Sequence, residues 1–270
     1  MKKGLKILRE SFYILKDNPK LFIPFILGGA FNGLALYLIY LIPQRPFLYL
    51  FGPPVKVFFG ERFLHYPFNL YLLPKLFYYA TSFVSATIGV LMTALAIGMI
   101  KNIYSKEDTL ITPNFIYALK RYFALFSVWF VTFIILFFFV KGIRLFPLKL
   151  KGLALNIVPY FIYIGTIFIQ LLFIYVIPVL IIEKKSIINS FLNGIIFLKK
   201  VFPTTLFILG LAIIIYLPVV ILRQNMPFLA GAFYPEIIVV VLGISVFVSF
   251  VVDVMVTTAT TLVFLKEKRG

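Results

Sequence analysis

The residue of this chain best suited to chemistry is Asp253, an aspartate near the middle of the last long apolar stretch. Ser249 and Thr257 stand four residues to either side of it, so a helix places the carboxyl between two hydroxyls on one face. An ionised carboxylate at mid-bilayer is costly. We therefore expect Asp253 to face the interior of a helix bundle, where it finds hydrogen-bond donors or stays protonated.

The candidate partners of this carboxyl are neutral, because no predicted span carries Lys, Arg or His in its interior. They are Asn32 in the first span and Asn156, Tyr163 and Gln170 on one face of the fourth. Two interpretations stay open. The polar set is either a proton- or cation-sensitive site, or a group of interhelical hydrogen bonds worth about 0.6 kcal/mol each.

Motifs for catalysis are missing from the sequence. His65 is the single histidine, and one intramembrane aspartate cannot supply the two facing carboxylates of aspartyl chemistry. There is no His-Glu-x-x-His pair, no Gly-x-Ser-x-Gly elbow and no glycine-rich phosphate loop. The absence of cysteine removes thiolate chemistry and thiolate metal sites. We expect a non-enzymatic protein with no catalytic residue, no metal and no cofactor.

Composition identifies the surroundings of these residues as a membrane. The chain has 270 residues, of which 62% are hydrophobic and 13% charged, and its mean hydropathy is +1.06. Several apolar stretches reach the roughly 20 residues with which a helix crosses about 30 Å of hydrocarbon. The sequence therefore predicts an all-α integral membrane protein without a cleavable signal peptide.

Three similar junctions between basic and apolar sequence recur along the chain. In each, an amphipathic segment with two basic residues near its end runs into a long apolar stretch. A second long apolar stretch follows the first. The basic residues are Lys16 and Lys20, Lys120 and Arg121, and Lys199 and Lys200. A helix with one basic and one aliphatic face is suited to the membrane surface. The recurrence predicts six transmembrane helices arranged as three hairpins, each preceded by a short amphipathic interfacial helix.

The boundaries of these elements follow from the apolar stretches. The predicted spans are 21–42, 75–100, 123–140, 153–182, 203–222 and 237–264. Six prolines between the first two spans indicate a long, interrupted loop. We expect one membrane domain, 1–270, with repeat units at about 1–101, 102–183 and 184–270.

Basic residues predict the orientation. Six spans place both termini and the amphipathic helices on one side, and that side carries 17 of the 26 Lys and Arg residues. Loops rich in these residues stay in the cytoplasm, so we expect a multi-pass protein of the cell membrane with cytoplasmic termini. The six junction bases then lie beside anionic headgroups, where each contributes about 1 kcal/mol. This placement accounts for the net charge of +17 without nucleic acid.

Two stretches carry a resemblance to a known family. The first is Tyr175-Val-Ile-Pro178-Val-Leu-Ile-Ile-Glu183-Lys-Lys-Ser186 with Ser190-Phe191-Leu192 and Leu198-Lys199-Lys200, and the second is the ending Thr260-Thr261-Leu-Val-Phe264-Leu265-Lys266-Glu267-Lys268-Arg269. Both resemble the membrane domain associated with glycerophosphodiester phosphodiesterases and related six-span prokaryotic membrane proteins. The resemblance implies a stand-alone membrane module without hydrolase activity, because no segment corresponds to the catalytic domain.

A shorter similarity concerns the first span. Asn18-Pro19-Lys20-Leu21 with Ile23-Pro24 is similar to the CysZ-type sulfate permeases. The leading prediction is a protein that organises or senses lipid or accompanies a membrane partner. The alternatives are a transporter or channel for a small solute or ion with a polar path at Asp253, and an unrecognised membrane enzyme. Expected partners are anionic lipid and a membrane protein or second copy, not nucleic acid.

Overall fold

The computed structural model confirms an all-α membrane fold. It describes residues 2–145 and 153–269, without the side chains of 144–145, 153–157, 159–160 and 269. Over these residues every regular element is helical, and six helices are long and apolar enough to cross a membrane. The chain is therefore a multi-pass integral membrane protein. Most of the segment between the predicted third and fourth spans, 141–152, lies outside the described residues.

Twelve α-helices cover the described ranges. They are α1 (Lys2–Asp17), α2 (Phe22–Tyr40), α3 (Phe47–Phe59), α4 (Phe68–Val84), α5 (Val90–Tyr104), α6 (Ile111–Lys120), α7 (Tyr122–Leu145), α8 (Leu153–Phe173), α9 (Val176–Ile182), α10 (Ile187–Gln224), α11 (Met226–Ala232) and α12 (Ile237–Arg269). Short 3₁₀ turns occupy Pro19–Leu21 and Glu61–Leu64, and a π-helical turn, Ser85–Gly89, joins α4 to α5. The six candidate spans are Pro19–Tyr40, Phe68–Tyr104, Tyr122–Ile143, Phe161–Ile182, Ile187–Gln224 and Ile237–Lys268.

The long interrupted loop predicted after the first span is wrong in part, because α3 forms within it and α4 begins at Phe68. Pro53 and Pro54 both lie inside α3. A proline disfavours helix in the residue before it through a clash with that residue's Cβ. Gly52 precedes Pro53 and has no Cβ, which removes much of this clash. The number of prolines alone therefore predicted too little helix between the first two spans.

The third amphipathic helix is not a separate element, contrary to the prediction. It forms the beginning of α10, a continuous helix of 38 residues that includes Pro203. Proline inside a helix removes one hydrogen bond and kinks the helix without necessarily ending it. Leu198, Val201 and Thr205 are buried along one face on both sides of Pro203. This continuous packing face holds the two parts in one helix.

The fourth span is divided into α8 and α9 around Tyr175. A proline in a helix clashes with the carbonyl four residues earlier and cannot bond to it. For Pro178 that carbonyl belongs to Ile174, which is where the helix is interrupted. Tyr175 then starts the next helix, and its carbonyl accepts the backbone N–H of Val179 at 3.0 Å.

The helices form two compact units. The first comprises Met1–Leu21, Thr93–Gly210 and Val256–Gly270, and the second comprises Phe22–Met92 and Leu211–Met255. These bounds differ from those of the three sequence repeats, which stay a prediction.

An aromatic core stabilises the first unit. The rings of Tyr175 and Phe197 lie 4.8 Å apart between centroids, as do those of Phe197 and Phe264. The Tyr175 hydroxyl lies 2.6 Å from the hydroxyl of Thr205, which donates to the Val201 carbonyl. The N-terminal turn of α9 passes so close to α10 that a Cβ on Gly194 would lie 3.1 Å from the Val176 nitrogen. Glycine is needed there for close approach.

An aliphatic core stabilises the second unit. Buried side chains from α2, α4, α11 and α12 pack in one cluster: Leu36, Leu70, Leu73, Phe77, Met226, Ala230, Ile238, Val241 and Leu242. A second contact joins α2 and α12 further along, where a Cβ on Gly29 would meet Phe250 at 3.8 Å. Leu36 shares the cluster with Leu242. It follows Gly29 by seven residues on α2, whereas Leu242 precedes Phe250 by eight on α12, so the two helices run antiparallel.

Candidate functional site

Ion pairs connect the basic ends of the helices in the first unit. Three carboxylates, from α1, the end of α9 and the end of α12, each contact lysine. The pairs are Glu10 with Lys266, Glu183 with Lys185 and Lys268, and Glu267 with Lys3 and Lys200. Glu183 is the most enclosed, with a side chain only 10% exposed. The network joins α1, α9, α10 and α12.

Two of the six predicted headgroup residues are engaged within the protein. The Arg121 guanidinium donates to the Lys184 carbonyl at 3.2 Å, and the Lys200 ammonium donates to the Glu267 carbonyl at 3.3 Å. The first contact fixes the start of the third span to the segment after α9, and the second fixes α10 to the end of α12. Arg121 and Lys200 therefore have a structural role besides any contact with lipid.

The other four predicted residues are free to reach outward. Lys16, Lys20, Lys120 and Lys199 are exposed, and no ion pair or hydrogen bond within the described residues engages their ammonium groups. All four belong to the first unit. The structure thus separates the predicted set into four unpaired lysines and two that are held in place.

Three of the free lysines end rows of exposed apolar side chains, here called the exposed rows. The rows are Leu5, Phe12 and Lys16 on α1; Ile116, Leu119 and Lys120 on α6; and Ile188, Leu192, Ile196 and Lys199 on α10. Spacings of three, four and seven residues place the members of the rows on α1 and α10 on one side of each helix. On α6, Ile116 is three residues from Leu119 and four from Lys120, which are themselves adjacent. Each row combines aliphatic or aromatic groups with one unpaired ammonium.

The aliphatic face of α1 contacts two different surroundings. Gly4, Ile7, Ser11 and Leu15 are buried, and a Cβ on Gly4 would lie 2.5 Å from the Phe207 ring of α10. Leu5 and Phe12 remain 65% and 67% exposed. One edge of the apolar face therefore fastens α1 to the unit, while the other edge stays exposed.

Asp253 differs from the expectation that it faces the interior of the bundle. Its side chain is exposed, and its carboxyl makes no hydrogen bond or ion pair with any described residue. It lies at the middle of the candidate span Ile237–Lys268. A bare carboxylate at this depth requires a partner, water or a proton.

Asp253 nevertheless points away from the exposed apolar side of α12. The exposed apolar residues of this helix in the second unit are Val240, Ile244, Phe247 and Val251, which share one direction. At about 100° per residue, Asp253 lies about 150° from that direction and about 50° from the buried face of Ile238, Leu242 and Ser245. Asp253 is therefore exposed on the side of α12 that packs against other helices elsewhere, so no neighbouring helix among the described residues covers it at this position.

The other predicted members of the polar set divide between the two units. Asn32 and Ser249 share the second unit with Asp253, whereas Thr257 and Gln170 belong to the first. Thr257 is half-buried, and its carbonyl accepts the Thr261 hydroxyl at 2.7 Å, while Gln170 is exposed. The Asn156 side chain lies outside the described residues.

Asn32 and Ser249 have no hydrogen-bond partner in the part of the chain that the structure describes. The Asn32 side-chain oxygen is buried and accepts no hydrogen bond, and the half-buried Ser249 hydroxyl makes none within the described ranges. From the contact of Gly29 with Phe250, Asn32 and Asp253 lie about 9 Å apart along antiparallel helices. They cannot bond directly at that separation.

Gly28 marks an open position on α2 close to these groups. Gly28 lies one turn before Asn32, on the same face of α2, and a Cβ placed on it would meet no atom within 4 Å. Measured along the shared direction of α2 and α12, Gly28 lies between Asn32 and Asp253. The second unit thus contains three oxygen-bearing side chains that have no partner among the described residues and lie close to the open position at Gly28.

The ion-pair network was not predicted from the sequence. A signal existed, since Glu10, Glu183 and Glu267 are three of only nine acidic residues and all stand close to basic clusters. Which lysine each contacts depends on residues far apart in the chain. No group of three metal-ligating side chains occurs in the described part of the chain.

Known proteins give no further assignment of these groups. No family model, curated protein or solved structure matches this chain.

Proposed function

We propose that the protein is a non-enzymatic membrane protein that gathers anionic lipid around the exposed rows of its first unit. The observation that carries this proposal is the repetition of one arrangement on three helices, an unpaired lysine at the end of an exposed apolar row. Apolar groups enter the acyl region while an ammonium stays at the headgroups. Each unpaired lysine contributes about 1 kcal/mol beside anionic lipid.

The proposal is tested by the lipid composition around the full-length protein. In nanodiscs containing phosphatidylcholine and phosphatidylglycerol, we expect the wild type to be enriched in phosphatidylglycerol. The triple variant Lys16→Gln, Lys120→Gln, Lys199→Gln should lose most of this enrichment, because one ammonium is removed from every row. Mass spectrometry of lipid bound after mild delipidation measures the difference.

A matched control separates row position from total charge. Lys2, Lys6 and Lys106 are exposed and unpaired lysines of the first unit that lie outside the three junctions. Their triple glutamine variant removes the same charge and should retain most of the enrichment. Equal losses in both variants would show that net charge, and not the rows, attracts the lipid.

The orientation belongs to the same proposal, with both termini and the exposed rows on the cytoplasmic side of the cell membrane. Its support is the excess of basic residues on that side. The chain has no cysteine, so a single introduced thiol reports on its own position. The Lys106→Cys variant should react with an impermeant maleimide only after lysis, and the Glu61→Cys variant should react in intact cells. The reverse pattern would overturn the orientation.

Transport of a small cation is a second candidate function. It is favoured by the exposure of Asp253 at mid-span, on the packed side of α12 and without a partner among the described residues. Ionisable residues in such positions commonly mark ion pathways. Uptake of a cation by proteoliposomes, lost in Asp253→Asn, is the expected result.

A further inference from the structure

We propose that Asp253, Asn32 and Ser249 provide a binding site for one monovalent cation in the second unit. The inference deepens the second candidate function, on which it rests, by naming the class of ligand. Binding and transport are separable, because an ion can be held without being carried across.

The first support is the unsatisfied state of all three side chains. A polar group that is buried in protein or lies within the hydrocarbon of a membrane is costly without a hydrogen bond. The oxygen of Asn32 is buried with no partner, and neither Ser249 nor Asp253 has one among the described residues. Three such groups on two antiparallel helices of one unit suggest that something else satisfies them.

The second support is the geometry around them. Asp253 lies near the packed face of α12, and Asn32 lies on the face of α2 that carries buried Phe25 and Leu36. Gly28 leaves open space on this same face of α2. A separation of about 9 Å along the axis is too long for a direct bond, but an ion with its water can bridge it.

The chemistry of the donors selects the ligand. A carboxylate, an amide oxygen and a hydroxyl are hard oxygen ligands, which suit alkali ions and ammonium groups better than soft metals. One carboxylate carries one negative charge. A monovalent cation neutralises it, whereas a divalent cation would leave a net charge at mid-membrane at high cost.

The experiment measures the thermal unfolding of the purified full-length protein in nanodiscs. Lithium, sodium, potassium and methylammonium chlorides are titrated against N-methylglucamine chloride at constant ionic strength. A ligand that binds the folded state raises the unfolding midpoint in a saturable manner. We expect such a rise with at least one of the four small cations and none with N-methylglucamine.

Two kinds of variant locate the site. Asp253→Asn should abolish the saturable rise, and Asn32→Ala should weaken the apparent affinity about tenfold. Glu236→Gln, which neutralises another carboxylate of the second unit, should respond as the wild type does. These comparisons distinguish a specific ion from general screening.

Glycine variants test the open space independently of charge. Gly28→Val fills the unoccupied position and should weaken binding without altering any ligand group. Gly33→Val is the matched control, because Gly33 is also free of neighbours within 4 Å but lies on a different side of α2. It should bind as the wild type does.

The outcomes decide between the alternatives. A response to methylammonium alone keeps the site and identifies its ligand as an organic ammonium group. No saturable response in the wild type, or an unchanged response in Asp253→Asn, overturns the site and leaves Asp253 protonated or covered by a partner. Saturable binding without uptake by proteoliposomes keeps the site and removes the transport function.

Discussion

Replacing Tyr175 with alanine is expected to lower the free energy of unfolding by about 3–5 kcal/mol, the usual effect of deleting a buried aromatic ring. Tyr175 is fully buried, contacts Phe197 and Phe264, and stands at the interruption between α8 and α9. The cavity would lie where three segments of the first unit meet. Thermal or chemical unfolding of the protein in detergent measures the change.

The phenylalanine variant at this position isolates the hydroxyl. Thr205 donates its own hydroxyl to Val201, so the Tyr175 hydroxyl is the donor in the contact between the two. Tyr175→Phe leaves a buried acceptor unsatisfied and should cost about 1–3 kcal/mol. Tyr37→Ala is the control, since that ring is 59% exposed and its loss should have little effect. Equal effects of Tyr175→Ala and Tyr37→Ala would contradict the proposed core.

Replacing Gly194 with valine is expected to destabilise the first unit by about 1–3 kcal/mol, the range for overpacking. A Cβ at this position would lie 3.1 Å from the Val176 nitrogen and 3.2 Å from the Tyr175 carbonyl carbon. Both atoms belong to the backbone and cannot rotate aside, so α9 and α10 must separate. The unfolding midpoint should fall accordingly.

Gly210→Val is the matched control in the same helix. A Cβ on Gly210 would have no atom within 4 Å, so valine meets no obstacle there. Both substitutions remove the flexibility of a helical glycine, which favours folding by up to about 1 kcal/mol. Gly194→Val should therefore destabilise while Gly210→Val is neutral or stabilising. A fall of the same size in both variants would contradict the close packing of α9 on α10.

The helical membrane fold was predictable because it depends on local properties of the chain. Length and hydropathy place a helix across the bilayer whatever its neighbours are, and six spans were expected and found. Local rules failed where packing overrode them. Pro203 does not end α10 because a buried face continues past it, and Pro53 lies inside α3 because Gly52 relieves its clash.

The candidate sites were predictable in residue type more than in arrangement. The junction lysines and Asp253 stand out in the sequence because charge beside or within apolar stretches is costly. Whether such a side chain is exposed or paired depends on segments that are distant in the sequence. The sequence does not show that Lys200 is fixed to Glu267 while Lys199 is free, because the two positions differ by one residue on a helix.

For Asp253, the sequence by itself determined that a single carboxylate lies at mid-span, with Ser249 and Thr257 one turn away. Only the tertiary structure decided its surroundings. Asn32 and Ser249 share its unit, Thr257 and Gln170 do not, and Asp253 stays unpartnered among the described residues. The physical reason is that helical periodicity fixes the direction of a side chain on its own helix, whereas the facing groups come from the packing of distant segments.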